Sequence, residues 1–223
     1  QIGLVYENVT FQVDGLNLVG WFLPAADKDA PVILVTHGLN ANKENFLYPV
    51  QSLNRRGYNV LIFDFRGHGH SSGRTVSMGY HETNDIIAAC DWLAQNHPGK
   101  TIHALGYSMG GAAVIRAAAQ RQLFDKIVLD STFYDLVSVA RATILKSFGP
   151  AQPLFLATIR SWAWLWLGFD IATHRPGELI SRLEPDNILL IHGTADSVIP
   201  CEETMNLHRA TGEKARLWLI EGA

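Results

Sequence analysis

With 223 residues, of which 48% are hydrophobic and 17% charged, the chain is long enough for one large core and lacks the charge excess that keeps a chain disordered. Its formal charge of -3, with no run of Lys or Arg longer than Arg55-Arg56, argues against a nucleic-acid partner, since binding phosphates needs a basic excess or stripe. Cys90 and Cys201 lie far apart with no C-x-x-C spacing, which indicates neither a disulfide framework nor a zinc site.

The sequence opens at Gln1 with no charged-then-apolar leader, so any earlier segment is expected to have been removed or left out, and the cytoplasm is the default expectation of location. Residues 5–13 and 16–23 are two β-rich runs around Asp14-Gly15, a hairpin signal. Residues 32–36 form a continuous apolar run of the kind buried on both faces of a sheet, ending in His37-Gly38-Leu39-Asn40. Helical spacing over 44–56 stops at Gly57. Another buried strand is expected over 58–63, followed by the polar, glycine-rich loop Asp64-Phe65-Arg66-Gly67-His68-Gly69-His70. A helix over 81–96, a strand over 101–105, a helix over 112–121 and a strand over 126–130 continue the alternation. Strands alternating with crossovers of this length give a mostly parallel sheet, whose ligands sit at the carboxyl ends of its strands. His37, Ser108, Asp130 and Asp196 all lie at or just past such ends.

From 131 to about 186 the rhythm breaks. No convincing strand occurs, Trp162, Trp164 and Trp166 stand close together, and the buried-strand pattern resumes only at 187–191, so this stretch reads as a helical insertion. Its longest apolar window, 154–169, is interrupted by Arg160 and falls short of the ~20 residues that span a bilayer. The tryptophans fit an apolar acyl or aromatic substrate, contact with a membrane surface, or simple packing of the insertion onto the core. A helix over 200–210 and a strand over 215–220 lead to Glu221-Gly222-Ala223.

The stretch with the most chemistry is Gly106-Tyr107-Ser108-Met109-Gly110, a G-x-S-x-G sequence on a strand-to-helix turn. Small residues two before and two after the serine let strand and helix close around a strained turn that leaves the hydroxyl exposed. Ser108 is therefore the candidate nucleophile, and the Met109 N–H, at the start of the following helix, a candidate oxyanion donor.

With His37-Gly38, the 64–69 loop and His192-Gly193-Thr194-Ala195-Asp196 before Val198-Ile199-Pro200, this elbow resembles the α/β-hydrolase family, in particular its serine esterases and lipase-like hydrolases. The resemblance covers essentially the whole chain. It implies an α/β fold with a mostly parallel central sheet, an antiparallel N-terminal hairpin, helices on both faces and an inserted helical cap, with residues 1–131 and 187–223 as the core and 132–186 as the cap. It also implies the Leu39 N–H as second oxyanion donor and Asp196 as the acid of the triad, with Asp130 as a rival. Asp64, His68 and His70 then brace the site and His37 orders its loop. No cofactor or metal is implied, and the partner is a small, apolar acyl substrate. The family's histidine follows the last strand, where only Glu221-Gly222-Ala223 stand; His208, on the preceding helix, is poorly placed to replace it. Two readings stay open: a serine hydrolase whose histidine lies beyond Ala223, or a silent binding protein of the same fold. Thioesterase, peptidase and acyltransferase chemistry would use the same site.

Overall fold

The computed structural model describes residues 5–142 and 145–223. Residues 1–4 of the expected core and 143–144 of the expected insertion lie outside them. Eight strands form one sheet in the order β1-β2-β4-β3-β5-β6-β7-β8: β1 (Glu7–Val13), β2 (Leu16–Leu23), β3 (Val32–Thr36), β4 (Asn59–Phe63), β5 (Ile102–Tyr107), β6 (Ile127–Asp130), β7 (Ile188–Gly193) and β8 (Arg216–Ile220). β1 pairs antiparallel with β2, β2 antiparallel with β4, and every later pair is parallel. β3 and β4 are buried at every position, which is why their sequences run apolar without alternation.

The helices are α1 (Leu47–Arg55), α2 (Glu82–Asn96), α3 (Met109–Gln120), α4 (Leu136–Ala142), α5 (Gln152–Leu167), α6 (Pro176–Ile180) and α7 (Cys201–Ala210). Side chains of α2, α3, α6 and α7 join the largest core cluster, with Leu18, Leu34, Phe63, Ala104 and Leu190 from the sheet. On the opposite face Val50 and Leu53 of α1 pack with Ile33, Val35, Val60 and Ile62.

The boundaries beside Leu39 and Ser108 differ from those the spacing suggests. The helix expected over 44–56 is a short 3-10 turn, Lys43–Phe46, capped by Asn42, and only then α1. The strand expected over 101–105 runs on to Tyr107, and α3 begins at Met109 rather than 112, so one residue, Ser108, separates strand from helix. Glycines normally read as breakers conceal this; Gly110 and Gly111 are helical here because only glycine fits where α3 meets its neighbours.

Between β6 and β7 the described chain is helical and turn-like with no strand. From Phe133 to Ile171 it has its own apolar cluster, in which Phe133, Leu136, Val139, Leu156, Ala163, Phe169 and Ile171 meet Ala112 and Ile199 of the sheet-flanking layer. Its last part turns back into the main core, where Ile180 is fully buried beside Leu179 and Leu183. Packing of the tryptophans onto the core, the simplest reading of the sequence, does not hold: Leu156 and Ala163 carry that contact, while Trp162, Trp164 and Trp166 are exposed.

Candidate active site

Ser108 has φ 52° and ψ −117°, a backbone conformation that a residue with a Cβ adopts only when its surroundings hold it there. The restraints are local. The Ser108 N–H donates to the Asp130 carbonyl at 2.8 Å, and its own carbonyl accepts from Ala112 N–H at 3.1 Å, so β6 and α3 grip the residue from both sides. A Cβ on Gly106 would stand 2.6 Å from the Gly111 Cα, and one on Gly110 would stand 2.6 Å from the His37 carbonyl oxygen and 2.7 Å from Thr36 Oγ1. The small residues thus answer a steric demand on both arms of the turn.

The loop after β3 comes up against the serine. A Cβ on Gly38 would lie 3.3 Å from Ser108 Cβ and 3.8 Å from its Oγ. Leu39, next in the chain, is half-exposed, and Met109, the first residue of α3, is fully buried. As first residue of its helix, Met109 has an N–H that no carbonyl within the helix can take, at the end where the helix dipole is positive.

His37 holds this loop through both ring nitrogens. Its Nδ1–H donates to the Gly38 carbonyl at 2.7 Å and its Nε2 accepts from the Phe65 N–H at 3.0 Å, which fixes the neutral tautomer. Burial pushes its pKa down to about 4, an effect only partly opposed by the Gly38 hydrogen bond. The ring packs edge-on to His68 and Phe65. Asp64, fully buried, accepts from the Lys43 backbone N–H and Nζ, both at 2.7 Å, and from the His70 N–H at 2.8 Å. The sequence did not single out Lys43, yet it is nearly fully buried and lies over the Trp21 ring; one lysine in a polar loop carries no sequence sign of burial.

Asp196 follows β7 on a turn in which its Oδ1 accepts from the N–H groups of Val198 at 2.8 Å and Ile199 at 2.9 Å. Oδ2 faces the fully buried His192, 3.5 Å from its Nε2. That ring is held by Thr204 Oγ1 at 2.6 Å from Nδ1 and donates Nε2–H to the Ile199 carbonyl at 2.9 Å. Its burial behind the loop is the second feature sequence reading missed. Asp130 ends β6, opposite Tyr107 in register. Burial raises its carboxyl above the usual carboxylate range, against a Ser131 hydroxyl hydrogen bond at 3.2 Å. Ser108 and Asp196 therefore stand at the same end of β5 and β7, with β6 between them.

The remaining histidines are engaged elsewhere. His208 donates Nε2–H to the Ala215 carbonyl, His174 to Met78 and His81 to Leu167; His97 stacks on Phe22, and His103 faces Asp125. The carbonyl of Ala223 accepts from the Ala195 N–H at 2.8 Å, so the chain past β8 lies along the turn that bears Asp196. Among the described residues no group of three or more His, Cys, Asp or Glu side chains is arranged to hold a metal ion.

A mostly parallel sheet of this order, with a strained serine as the one residue between strand and helix, is the architecture of the α/β hydrolases. The chain belongs to the α/β-hydrolase family described as serine aminopeptidase, S33, which it matches over residues 27–184. It is 31% identical over 224 residues to the uncharacterized protein YfhR of Escherichia coli K12, an alignment covering 96% of this chain and 71% of YfhR. It is 28% identical over 191 residues to the lysophosphatidylserine lipase ABHD12 of Gallus gallus, covering 81% of this chain and 47% of that protein. The structure of the Pyrococcus furiosus esterase Pf2001 superposes with a TM-score of 0.76 at 24% identity, covering 98% of this chain and 84% of the esterase.

Proposed function

We propose that the protein is a serine hydrolase that cleaves a carboxylic ester through an acyl-enzyme on Ser108. The observation that carries this is the strained backbone of Ser108 directly beside the Gly38 loop. A carbonyl attacked by Oγ would place its oxygen between the N–H groups of Met109 and Leu39, and stabilising that charge is worth about 10²–10³ in rate per donor. Asp196 is the acid in this reading. Its Oδ1 is committed to the turn while Oδ2, 3.5 Å from a His192 Nε2 whose proton goes to the Ile199 carbonyl, is left to orient an imidazole, and the raised pKa of Asp130 makes that residue the poorer anion. The base is a histidine in the loop beyond β8, and the course of Ala223 along the Asp196 turn supports that position. Residues 132–186 act as the cap over the acyl group. The choice of an ester follows the names of two similar proteins, an esterase and a lysophosphatidylserine lipase, whereas the family's description as a serine aminopeptidase names the amide alternative.

The competing reading is a silent binding protein of the same fold, favoured by the engagement of all nine histidines away from Ser108. A fluorophosphonate probe with the full-length protein separates the two. Labelling of the parent and none of Ser108→Ala is expected, with Asp196→Asn slowing p-nitrophenyl ester turnover about 10³–10⁴-fold and Asp130→Asn by less than tenfold. Absence of labelling at high probe excess rejects the hydrolase; equal losses in the two aspartate variants reject the choice of acid.

A further inference from the structure

The outward surface of α5 is largely apolar, interrupted by Thr158, Arg160 and Ser161. Its inward stripe, Leu156, Ile159, Ala163 and Leu167, meets the rest of the protein, and these positions recur at helical spacing. Everything else on the helix faces outward. Leu154, Trp164, Leu165 and Trp166 are each at least 66% exposed and Trp162 is 57% exposed, while the only charge, Arg160, is paired with Asp170. A helix whose outward face is this apolar, broken only by Thr158, Arg160 and Ser161, is normally covered by protein or by a membrane. At 16 residues, about 24 Å at 1.5 Å per residue, α5 is too short to cross a bilayer, and no helix among the described residues is long and apolar enough to do so.

The charge around this surface selects what covers it. From Leu136 to Phe169 the sequence contains Arg141, Lys146 and Arg160 and no Asp or Glu, in a chain whose net charge is -3. Arg141 makes no ion pair among the described residues. It lines a cleft of about 380 Å³ beside α5, together with Ser138, Arg160, Arg175 and the carboxylate of Asp135, which pairs with Arg175. Tryptophans on the outward face of an apolar helix, beside an Arg141 left over once Asp170 has paired with Arg160 and Asp135 with Arg175, match the boundary between acyl chains and anionic headgroups. A second copy of the chain would instead bring the same cations face to face, and like charges across an interface disfavour it.

We propose that α5 is a membrane-docking helix that inserts Trp162, Trp164, Leu165 and Trp166 into one leaflet of an anionic bilayer, with Arg141 beside the lipid phosphates. Docking there brings residues 132–186 to the lipid surface, and it holds whether or not Ser108 is catalytic.

The test is cosedimentation of the full-length protein with vesicles of phosphatidylcholine alone and of phosphatidylcholine mixed with phosphatidylglycerol. The parent protein should bind the mixed vesicles more tightly, with tryptophan emission shifted to the blue and quenched by lipids brominated on their acyl chains. Trp164→Ser with Leu165→Ser should weaken binding to both vesicles about tenfold or more, and Arg141→Glu should remove most of the preference for the anionic ones. Near-parental melting of each variant shows that it is folded, and the quenching readout needs no variant. No binding to either vesicle, unquenched tryptophans, or a dimer in solution that the Trp164/Leu165 variant dissolves would each overturn the proposal.

Discussion

At the scale of single residues, the site depends on groups that are held rather than groups that react. His37 shows this best, because its ring can do its structural work only when neutral. Protonation at Nε2 would turn the acceptor of the Phe65 N–H into a donor facing a donor. With a folded pKa of about 4 against an ordinary 6.5, the unfolded state binds the extra proton across that interval, so stability is complete above about pH 6.5 and falls as the pH drops toward 4. The size of the effect is about 2–3 kcal/mol at pH 4.5 for this residue alone. Urea denaturation at pH 7 and pH 4.5 should show a loss of at least this size in the parent and a smaller one in His37→Gln. A variant with an unchanged loss would show that His37 is not a source of the acid sensitivity. His174, buried with Nε2–H on the Met78 carbonyl and likewise pushed down to about 4 by burial, adds to the parental loss and remains in the variant.

At the scale of elements, most of the sheet was legible from sequence because its central strands are buried on both faces and leave unbroken apolar runs. The hairpin was legible for a different reason, since Asp14 and Gly15 both take positive φ in the turn the dipeptide signals. The start of α3 at Met109 was legible from the elbow motif but not from helical spacing, which begins only at 112. Propensity discounts Gly110 and Gly111 as helix formers, and what overrides propensity is close contact of Gly110 with the end of β3 and of Gly111 with Thr132 after β6, which sequence cannot show. The partners behind the site were hidden for the same reason: Lys43 and Thr204 belong to ordinary polar stretches, His192 was visible only as part of its motif and not as a buried support, and only folding brings them to Asp64 and Asp196. Gly110 tests the argument. A methyl group there meets the carbonyl oxygens of His37 at 2.6 Å and Thr36 at 2.9 Å, both backbone atoms at the end of β3 that leads to Leu39. Gly110→Ala should cost about 1–3 kcal/mol through overpacking. It should also slow fluorophosphonate labelling of Ser108 by at least tenfold, because the two donor N–H groups are pushed apart. Full labelling with lowered stability would mean that the glycine serves packing alone.

At the scale of the whole molecule, the helical segment after β6 is tied to the sheet layer at one place more firmly than its apolar cluster requires. Glu203 of α7 is nearly buried; its Oε2 accepts from the N–H groups of Tyr134 at 2.9 Å and Asp135 at 3.1 Å, and its Oε1 from Ser138 Oγ at 2.5 Å. One residue along, Thr204 Oγ1 lies 3.1 Å from the Thr132 carbonyl and 2.6 Å from His192 Nδ1, so the same helix touches the root of the segment and the support of Asp196. Asp135 passes the restraint on through Arg175, at 2.8 Å. Glu203→Ala leaves three donors without their acceptor, at about 1–3 kcal/mol for each that water cannot reach, and Glu203→Gln restores neutral acceptors for part of that loss. Hydrogen exchange should therefore quicken at residues 134–142 in the alanine variant, with β3 to β6 unchanged and glutamine intermediate. If the segment covers the acyl group, KM for p-nitrophenyl esters should rise several-fold while kcat changes little, because a loosened cover weakens substrate binding without touching the oxyanion donors. Exchange that quickens uniformly across the sheet would instead make Glu203 a general stabiliser of the fold, and a fall in kcat at constant KM would place its influence on Asp196.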